Sequence, residues 1–474
     1  MSSVDIADAC DAFAQVLPLL AQEANNPSRQ TRANWKVDPL VVDRIAAIAD
    51  AVTNTGGVPA NLVDEIITNL GYPTDRMEAI QEAFALLLGI DRAFAGLDPF
   101  RSDDRDELWK YRARLWKDNR LDTGLASPAR VLPRRAIPVR GRGNPEKLDE
   151  EFEHLLLIQP SPTSSIDYAI ADPQHDMTVE EIRRTDTLEI ACIPFLGQYN
   201  ELDITHGLFA PPSTNYYSIQ PGKTLAYWED RMDRILRELE SKKIHFAILP
   251  ELALSNNLLK AWQAKLRAST RSPQWLLAGT GKLGSSHGGP LPPNRAMLLS
   301  DGGDEVMGQD KLRPFDMSAD TVDRWQLASY LGKQDLVEGM TEGTVRRIRD
   351  FRAGRVAILI CEDHGRLVQE VANLVEHGPT LIFVPIFSEP IRRFFWEHKA
   401  ATDDVLALGA SVIVSNSCAV PVPAETVSKL KPPDYGTSLV AWPKDTLGYT
   451  SVELNISPFD PNPEKISYFR VPLT

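Results

Sequence analysis

The chain has 474 residues, 43% of them hydrophobic and 24% charged, enough apolar material for two or three domains and too much for a chain disordered throughout. A net charge of −14 gives no general attraction to nucleic acid or anionic lipid, so neither is expected as the main partner. The four cysteines, Cys10, Cys192, Cys361 and Cys418, are scattered without CxxC pairs, so neither a disulfide framework nor a cysteine zinc site is suggested.

The N-terminus, MSSVDIADACDAF, carries acids where a signal peptide needs basic residues, and no apolar run approaches the roughly 18 residues of a membrane span. A cytoplasmic protein without membrane association is expected. From Asp38 to about Leu97 the spacing is helical: Val41, Ile45, Ile48 and Val52 recur at three and four residues, as do Ile80, Phe84, Leu87 and Leu88. Gly56-Gly57 and Gly71-Tyr72-Pro73 cut this region into short helices. Residues 1–128 are therefore expected to form a small, mainly helical domain. The stretch RVLPRRAIPVRGRGNPEK, Arg130 to Lys147, has linker composition, and 129–186 is read as a connecting segment.

From about Leu188 short apolar runs alternate with amphipathic stretches. LEIACIPF is followed by a helix through Tyr227 to Lys242, then by HFAILPEL, WLLAGTG, RAMLLSD, VAILICED, TLIFVPIF, ASVIVSNS and GTSLVAWP. Strands apolar on both faces are those of a sheet covered by helices, so 187–474 is an α/β domain.

Three of these segments end alike, apolar residues giving way to a reactive polar side chain: Glu251 after HFAILP, Lys311 after a hairpin, Cys361 after VAILI. Singly, each has a plain reading: Glu251 as a cap or surface ion-pair partner, Lys311 as a solvated cation, Cys361 as a buried structural thiol. Together they make a machine. A thiol with a reference pKa near 8.5 needs a base or a cation to become an attacking thiolate; Glu251 can take its proton, and Lys311 can hold the thiolate and then an oxyanion. The residues after Cys361 read as a turn into a helix, with Leu367, Val371, Leu374 and Val375 on one face and its N-terminus lowering the thiol pKa further.

The order Glu251, Lys311, Cys361, within PEL, GQDKLRPF and ICED, resembles the carbon–nitrogen hydrolase superfamily, the nitrilase-like amidases. AGTGKL, PNRAMLLSDGG, Gly343, LIFVPIFSEP and the closing GTSLVAWPKDTLG agree with it. The resemblance implies a nitrilase-like α-β-β-α sandwich, here preceded by the helical domain, commonly paired into a homodimer or higher homo-oligomer. It implies a thioester on Cys361, with Glu251 as base and then acid, Lys311 on the intermediate and the Glu362 backbone N–H in the oxyanion hole. No metal or organic cofactor is called for.

Many members carry a second active-site glutamate between lysine and cysteine; Glu338 is the best candidate, ahead of Gln326 and Glu342. ICED looks more like the glutaminase domains of NAD synthetases than ICYD does, yet no nucleotide-binding synthetase domain follows, so feeding a second site in the same chain is not expected. His364 reads as a cap or surface residue rather than a base, with a minor part in the pocket at most. Phe387, Phe394, Phe395 and Trp396 read equally as substrate-pocket walls and as core or dimer contacts.

The expected activity is hydrolysis of a non-peptide carbon–nitrogen bond in a small amide, carbamoyl compound or nitrile. Acyl transfer would use the same triad. A third reading is a binding or signalling module, the helical domain docking a protein partner.

Overall fold

The computed structural model describes residues 6–71, 76–95, 130–133, 148, 151–158, 166–170, 187–207, 215–269, 273–284, 291–351, 354–365, 378–423, 434–446 and 449–472. The chain divides into two compact units, one of Met1–Ser164 with Asn373–Gly378, the other of Ser165–Ala372 with Pro379–Thr474.

In the first unit helices α1 (Ala9–Leu20), α2 (Arg29–Trp35), α3 (Pro39–Thr55), α4 (Ala60–Leu70) and α5 (Arg76–Ala93) enclose a core that includes Phe13, Ile48, Val52, Phe84 and Leu87. The ends follow local chemistry. Asp8 caps α1 by accepting from Cys10 N and Asp11 N, Pro39 opens α3 with its fixed φ, and Gly56 closes α3 at φ 76°. A Cβ on Gly89 of α5 would come within 2.6 Å of Ile48, so α3 and α5 approach where no side chain intervenes. Two short antiparallel pairs complete the unit: β1 (Ile6–Asp8) with β2 (Gly57–Pro59), and β3 (Arg130–Pro133) with β4 (Leu155–Ile158). Arg130–Pro133, read from composition as linker, is thus a strand, because it finds β4 as a partner that composition does not reveal; 134–147 lie outside the described residues. The buried Asp91 carboxylate accepts from the N–H groups of Glu153, His154 and Leu155, fixing the approach to β4.

The second unit is mixed α/β. One sheet runs in the order β13 (Glu305–Asp310), β12 (Asn294–Ser300), β11 (Trp275–Lys282), β9 (Phe246–Ile248), β6 (Thr187–Cys192), β24 (Ser467–Pro472), with β10 (Leu254–Ser255) beside β11. A second runs β23 (Tyr449–Ile456), β22 (Ser438–Thr446), β20 (Ser411–Asn416), β18 (Leu381–Ile386), β17 (Gly354–Ile358), β16 (Arg346–Phe351), β5 (Ile166–Ile170). Strands β6, β9 and β11 are parallel, as are β17, β18 and β20, and antiparallel strands flank both sets. The sheets meet face to face through aromatic rings: Phe246 stacks on Trp275 at 4.7 Å, and from the other sheet Phe383 lies 5.0 Å from Phe246 and Phe351 5.4 Å from Trp275. Helices α6 (Leu225–Glu240) and α7 (Asn256–Ala268) bury Trp228, Met232, Ile235 and Trp262 against the first sheet. These layers explain strands apolar on both sides.

Helix α8 (Ala319–Arg324), the single turns α9 (Ala328–Leu331) and α10 (Glu362–Gly365), and α11 (Trp396–Leu408), which packs on β20 and β22, complete the helices among the described residues. A third, small sheet has the order β14 (Asp316–Met317), β15 (Leu336–Glu338), β8 (Tyr216–Pro221), β7 (Leu202–Gly207), and β19 (Ile391–Arg392) pairs with β21 (Tyr435–Gly436). The helix expected through Leu367 to Val375 lies outside the described residues. No helix among those described is long and apolar enough to cross a membrane.

Glu397, in the first turn of α11, is only 3% exposed, and its carboxyl is pushed from the usual 4.5 up to about 8, chiefly by burial, with Arg392 partly offsetting and Glu389 adding to it. A folded-state value above the unfolded one means that the native state holds the proton more tightly, so stability falls as pH rises from about 4.5 through about 8. The expected loss is a few kcal/mol at most, and Glu397→Gln should flatten it; urea unfolding at a series of pH values checks both.

Candidate active site

Each of the three residues singled out in the sequence stands on a turn whose backbone is fixed by neighbours. Glu251 follows β9, and its N–H donates to Ile386 O at the end of β18 in the opposite sheet, 3.2 Å away. The next residue, Leu252, turns the chain at φ 62°. Strand β11 passes close by, and a Cβ on Gly279 (φ 79°) would stand 2.4 Å from Pro250 O, so only glycine lets AGTG lie against this turn. Lys311 follows β13; its N–H donates to Asn294 O at 2.8 Å and its carbonyl accepts from Gly343 N at 2.8 Å. Cys361 sits at φ 47°, a left-handed conformation that costs about 1–2 kcal/mol for a residue with a Cβ. It is held there by Cys361 N donating to Pro385 O at 3.1 Å and by His364 N closing onto Cys361 O at 2.9 Å. The last two residues of β18, Pro385 and Ile386, thus anchor both the cysteine and the glutamate.

The side chains converge. Lys311 Nζ, 1% exposed, donates to Glu251 Oε1 at 2.8 Å and to Glu338 Oε2 at 2.5 Å. Asn294 Nδ2 bridges the same two carboxylates, donating to Glu251 Oε1 at 3.0 Å and Glu338 Oε1 at 2.8 Å. Backbone N–H groups complete the set: Phe387 N donates to Glu251 Oε2 at 3.1 Å and Phe315 N to Glu338 Oε2 at 3.2 Å. Asp363, buried two residues after the cysteine, accepts from Leu312 N at 3.0 Å and Arg313 N at 3.1 Å and so ties the cysteine turn to the lysine loop.

Two carboxylates share one ammonium in a dry place, and this sets the protonation. Burial opposes the Lys311 charge, but Glu251 and Glu338 outweigh it and hold the amine's pKa well above the usual value. Burial raises the Glu251 pKa, Lys311 opposing and Glu338 adding to the rise. Burial and then the charge of Glu251 push the Cys361 thiol well up, with Lys311 only partly offsetting. Burial and Glu251 thus favour the thiol form of Cys361, and the Lys311 ammonium is engaged with both acids.

Glu251, Lys311, Glu338 and Cys361 line one small cavity, in which a water-sized sphere finds ≈ 10 Å³ of room for its centre. Phe387 also lines it. Trp396 does not: its ring packs against His364 and Gly365 and is 38% exposed, while Phe394 and Phe395 are 82% and 43% exposed. His364 is fully buried rather than at the surface, and its Nε2 lies 3.0 Å from Asp404 Oδ2 of α11; a partner 40 residues away in sequence gives no local sign of this. Burial raises the Asp404 pKa, with His364 opposing. Sequence reasoning missed Asn294, Asp363 and Tyr217, the last of which lines the same cavity. Asn294 lay within PNRAMLLSDGG and Asp363 within ICED, so both motifs pointed to the place without giving the side chain's part. Among the described residues no group of His, Cys, Asp and Glu has an arrangement suited to a metal ion.

No protein-family model matches the chain, and no curated protein does. Solved structures that the chain resembles include the glutamine-dependent NAD+ synthetase of Acinetobacter baumannii (15% identity, 60% of this chain and 45% of that one, TM-score 0.37). Two others are the NitFhit protein of C. elegans (16%, 60% and 61%, TM-score 0.39) and Saccharomyces cerevisiae Nit3, a member of branch 10 of the nitrilase superfamily (12%, 60% and 89%, TM-score 0.35). The match spans less than two thirds of the length of the first two. These are nitrilase or CN-hydrolase superfamily proteins, the family that the sequence motifs resemble. The functional reading rests on the chain's own residues.

Proposed function

We propose that the chain is a cysteine-dependent hydrolase of the nitrilase-like superfamily, built on its α-β-β-α sandwich, that cleaves a non-peptide carbon–nitrogen bond through a thioester. The single observation that supports this reading most is the buried cavity in which Glu251, Lys311 and Cys361 meet. The Cys361 sulfur attacks the carbonyl carbon as its proton passes to Glu251, whose raised pKa makes it a better acceptor. Burial and Glu251 hold the sulfur toward the thiol, so transfer and attack are coupled. An ammonium has three N–H donors; Lys311 commits two to Glu251 and Glu338, and the third is directed to the oxyanion, joined by the Glu362 backbone N–H. Collapse breaks the carbon–nitrogen bond, and Glu251 returns the proton to the leaving amine. Water, deprotonated by Glu251, then attacks the thioester, the acid leaves, and the thiol regains its proton.

The test is ammonia release from a panel of primary amides and nitriles, with intact-protein mass measured after acid quench. The native chain should release ammonia and gain the acyl mass on the peptide bearing Cys361. Cys361→Ala should lose both, at least 10³-fold in rate, with circular dichroism unchanged; full turnover in the alanine variant would end the reading.

A further inference from the structure

The walls of the cavity say which amides would fit, an inference that rests on the function proposed above. Beyond the reacting groups, its lining comes from Tyr217, Ile219, Phe315, Met317, Trp325 and Phe387. No charged side chain other than Lys311, Glu251 and Glu338 is found among the described lining residues, and these are engaged with one another: Lys311 is paired with both acids, and both acids also accept from Asn294. A carboxylate or ammonium on the substrate's acyl side would be buried there without a partner, at a cost of several kcal/mol. The space is correspondingly small. At ≈ 10 Å³ for the centre of a water-sized sphere, it holds about one water beside the thiol.

The wall that sets this limit is braced. Trp325 is 4% exposed, its ring stacks on Phe315 at 5.8 Å and 16° and meets Phe387 edge-on at 6.2 Å. Its indole N–H donates to Glu389 Oε1 at 3.1 Å, and its carbonyl accepts from Tyr199 O–H at 2.6 Å. Glu389 is itself gripped by Arg324 and Arg392. Rotating the indole away breaks a buried hydrogen bond and two ring contacts at once. With Trp325 Nε1 engaged, the polar atom these walls offer a substrate is the Tyr217 hydroxyl, for which the structure gives no hydrogen-bond partner among the described residues.

We infer that the acyl half of the substrate is short and uncharged, a formyl, acetyl or carbamoyl group, and that Trp325 and Met317 set its length. The reaction balances as in the proposed cycle: the sulfur–carbon bond forms as carbon–nitrogen breaks, and water restores the thiol.

The experiment measures kcat/KM of the full chain for formamide, acetamide, propionamide, butyramide, urea, succinamate and glutamine, beside Cys361→Ala, Trp325→Ala and Met317→Ala. One methylene in an apolar pocket is worth roughly 10- to 200-fold. We expect the best value among formamide, acetamide and urea, a fall of about tenfold or more for each carbon beyond acetamide, and no turnover of succinamate or glutamine. Trp325→Ala, or Met317→Ala where the tryptophan variant does not fold, should raise the butyramide-to-acetamide ratio about tenfold or more. Cys361-dependent turnover that favours butyramide, succinamate or glutamine overturns the inference and leaves the hydrolase reading standing. An unchanged ratio in a folded Met317→Ala variant overturns the part given to these two walls. Turnover that survives Cys361→Ala, or a native chain that neither hydrolyses any of these amides nor forms an adduct at Cys361, overturns the hydrolase reading and the inference with it.

Discussion

Lys311→Met should lose activity by about 10²- to 10³-fold or more and should also unfold at lower denaturant concentration, because the amine serves charge balance as well as chemistry. In the native site Lys311 separates Glu251 and Glu338, both nearly fully buried. Removing a partner from a buried ion pair costs about 3–5 kcal/mol, since the charge left behind is neither solvated nor paired. Here two carboxylates would be left, held together by Asn294 alone. They will respond by taking up a proton, so the destabilisation should shrink as pH falls toward the carboxylate range. Adding Glu338→Gln to Lys311→Met should recover stability without recovering turnover. Urea unfolding at two pH values and a rate assay separate the two roles, and a Lys311→Met variant within tenfold of native activity would contradict the assignment.

Glu251→Gln should reduce turnover by about 10²- to 10⁴-fold, the range for loss of a general base, with a smaller effect on stability. The Lys311–Glu338 pair survives in that variant, and the amide oxygen can still accept from Phe387 N. The pH dependence makes the assignment specific. Glu251 must be ionised to accept the thiol proton, and burial raises its pKa, so the native rate should fall on the acid side at a pH above the ordinary carboxylate midpoint of 4.5. That acid limb should be missing from the residual activity of Glu251→Gln. A variant retaining the same limb would assign it to another group.

The sequence and the structure agree most closely where an apolar run ends in one reactive side chain. Strands β9 and β17 run on through further buried residues because both their faces are covered, and the third residue beyond each end, Glu251 or Cys361, is a reactive polar one because it enters the site; both facts are local and readable. Glu338 is hard to place from sequence because LVE is a strand of three residues whose partners, β8 and β14, come from elsewhere in the chain. The alternation in YYSIQP puts Tyr217 and Ile219 on one buried face, but nothing local shows that this face lines the cavity of Cys361. That two acids claim Lys311 is not legible in the sequence, because Glu251 and Glu338 stand 60 and 27 residues from it. His364 looked like a surface turn residue because Asp404 and the covering helix come from elsewhere in the chain.

The contact made by Asp363 couples the parts of the site to one another. The Asp363 carboxylate takes the N–H groups of Leu312 and Arg313, and Asp363 lies between Cys361 and the turn that closes on it. Nucleophile and ammonium are thereby clamped to a common frame, and the glutamate joins it through the end of β18. That frame cannot spread without parting the reacting groups, so their spacing is the same whichever amide enters. A change at the cysteine turn is therefore felt at the lysine loop and at the glutamate together, and the three reacting groups answer as one rigid tool.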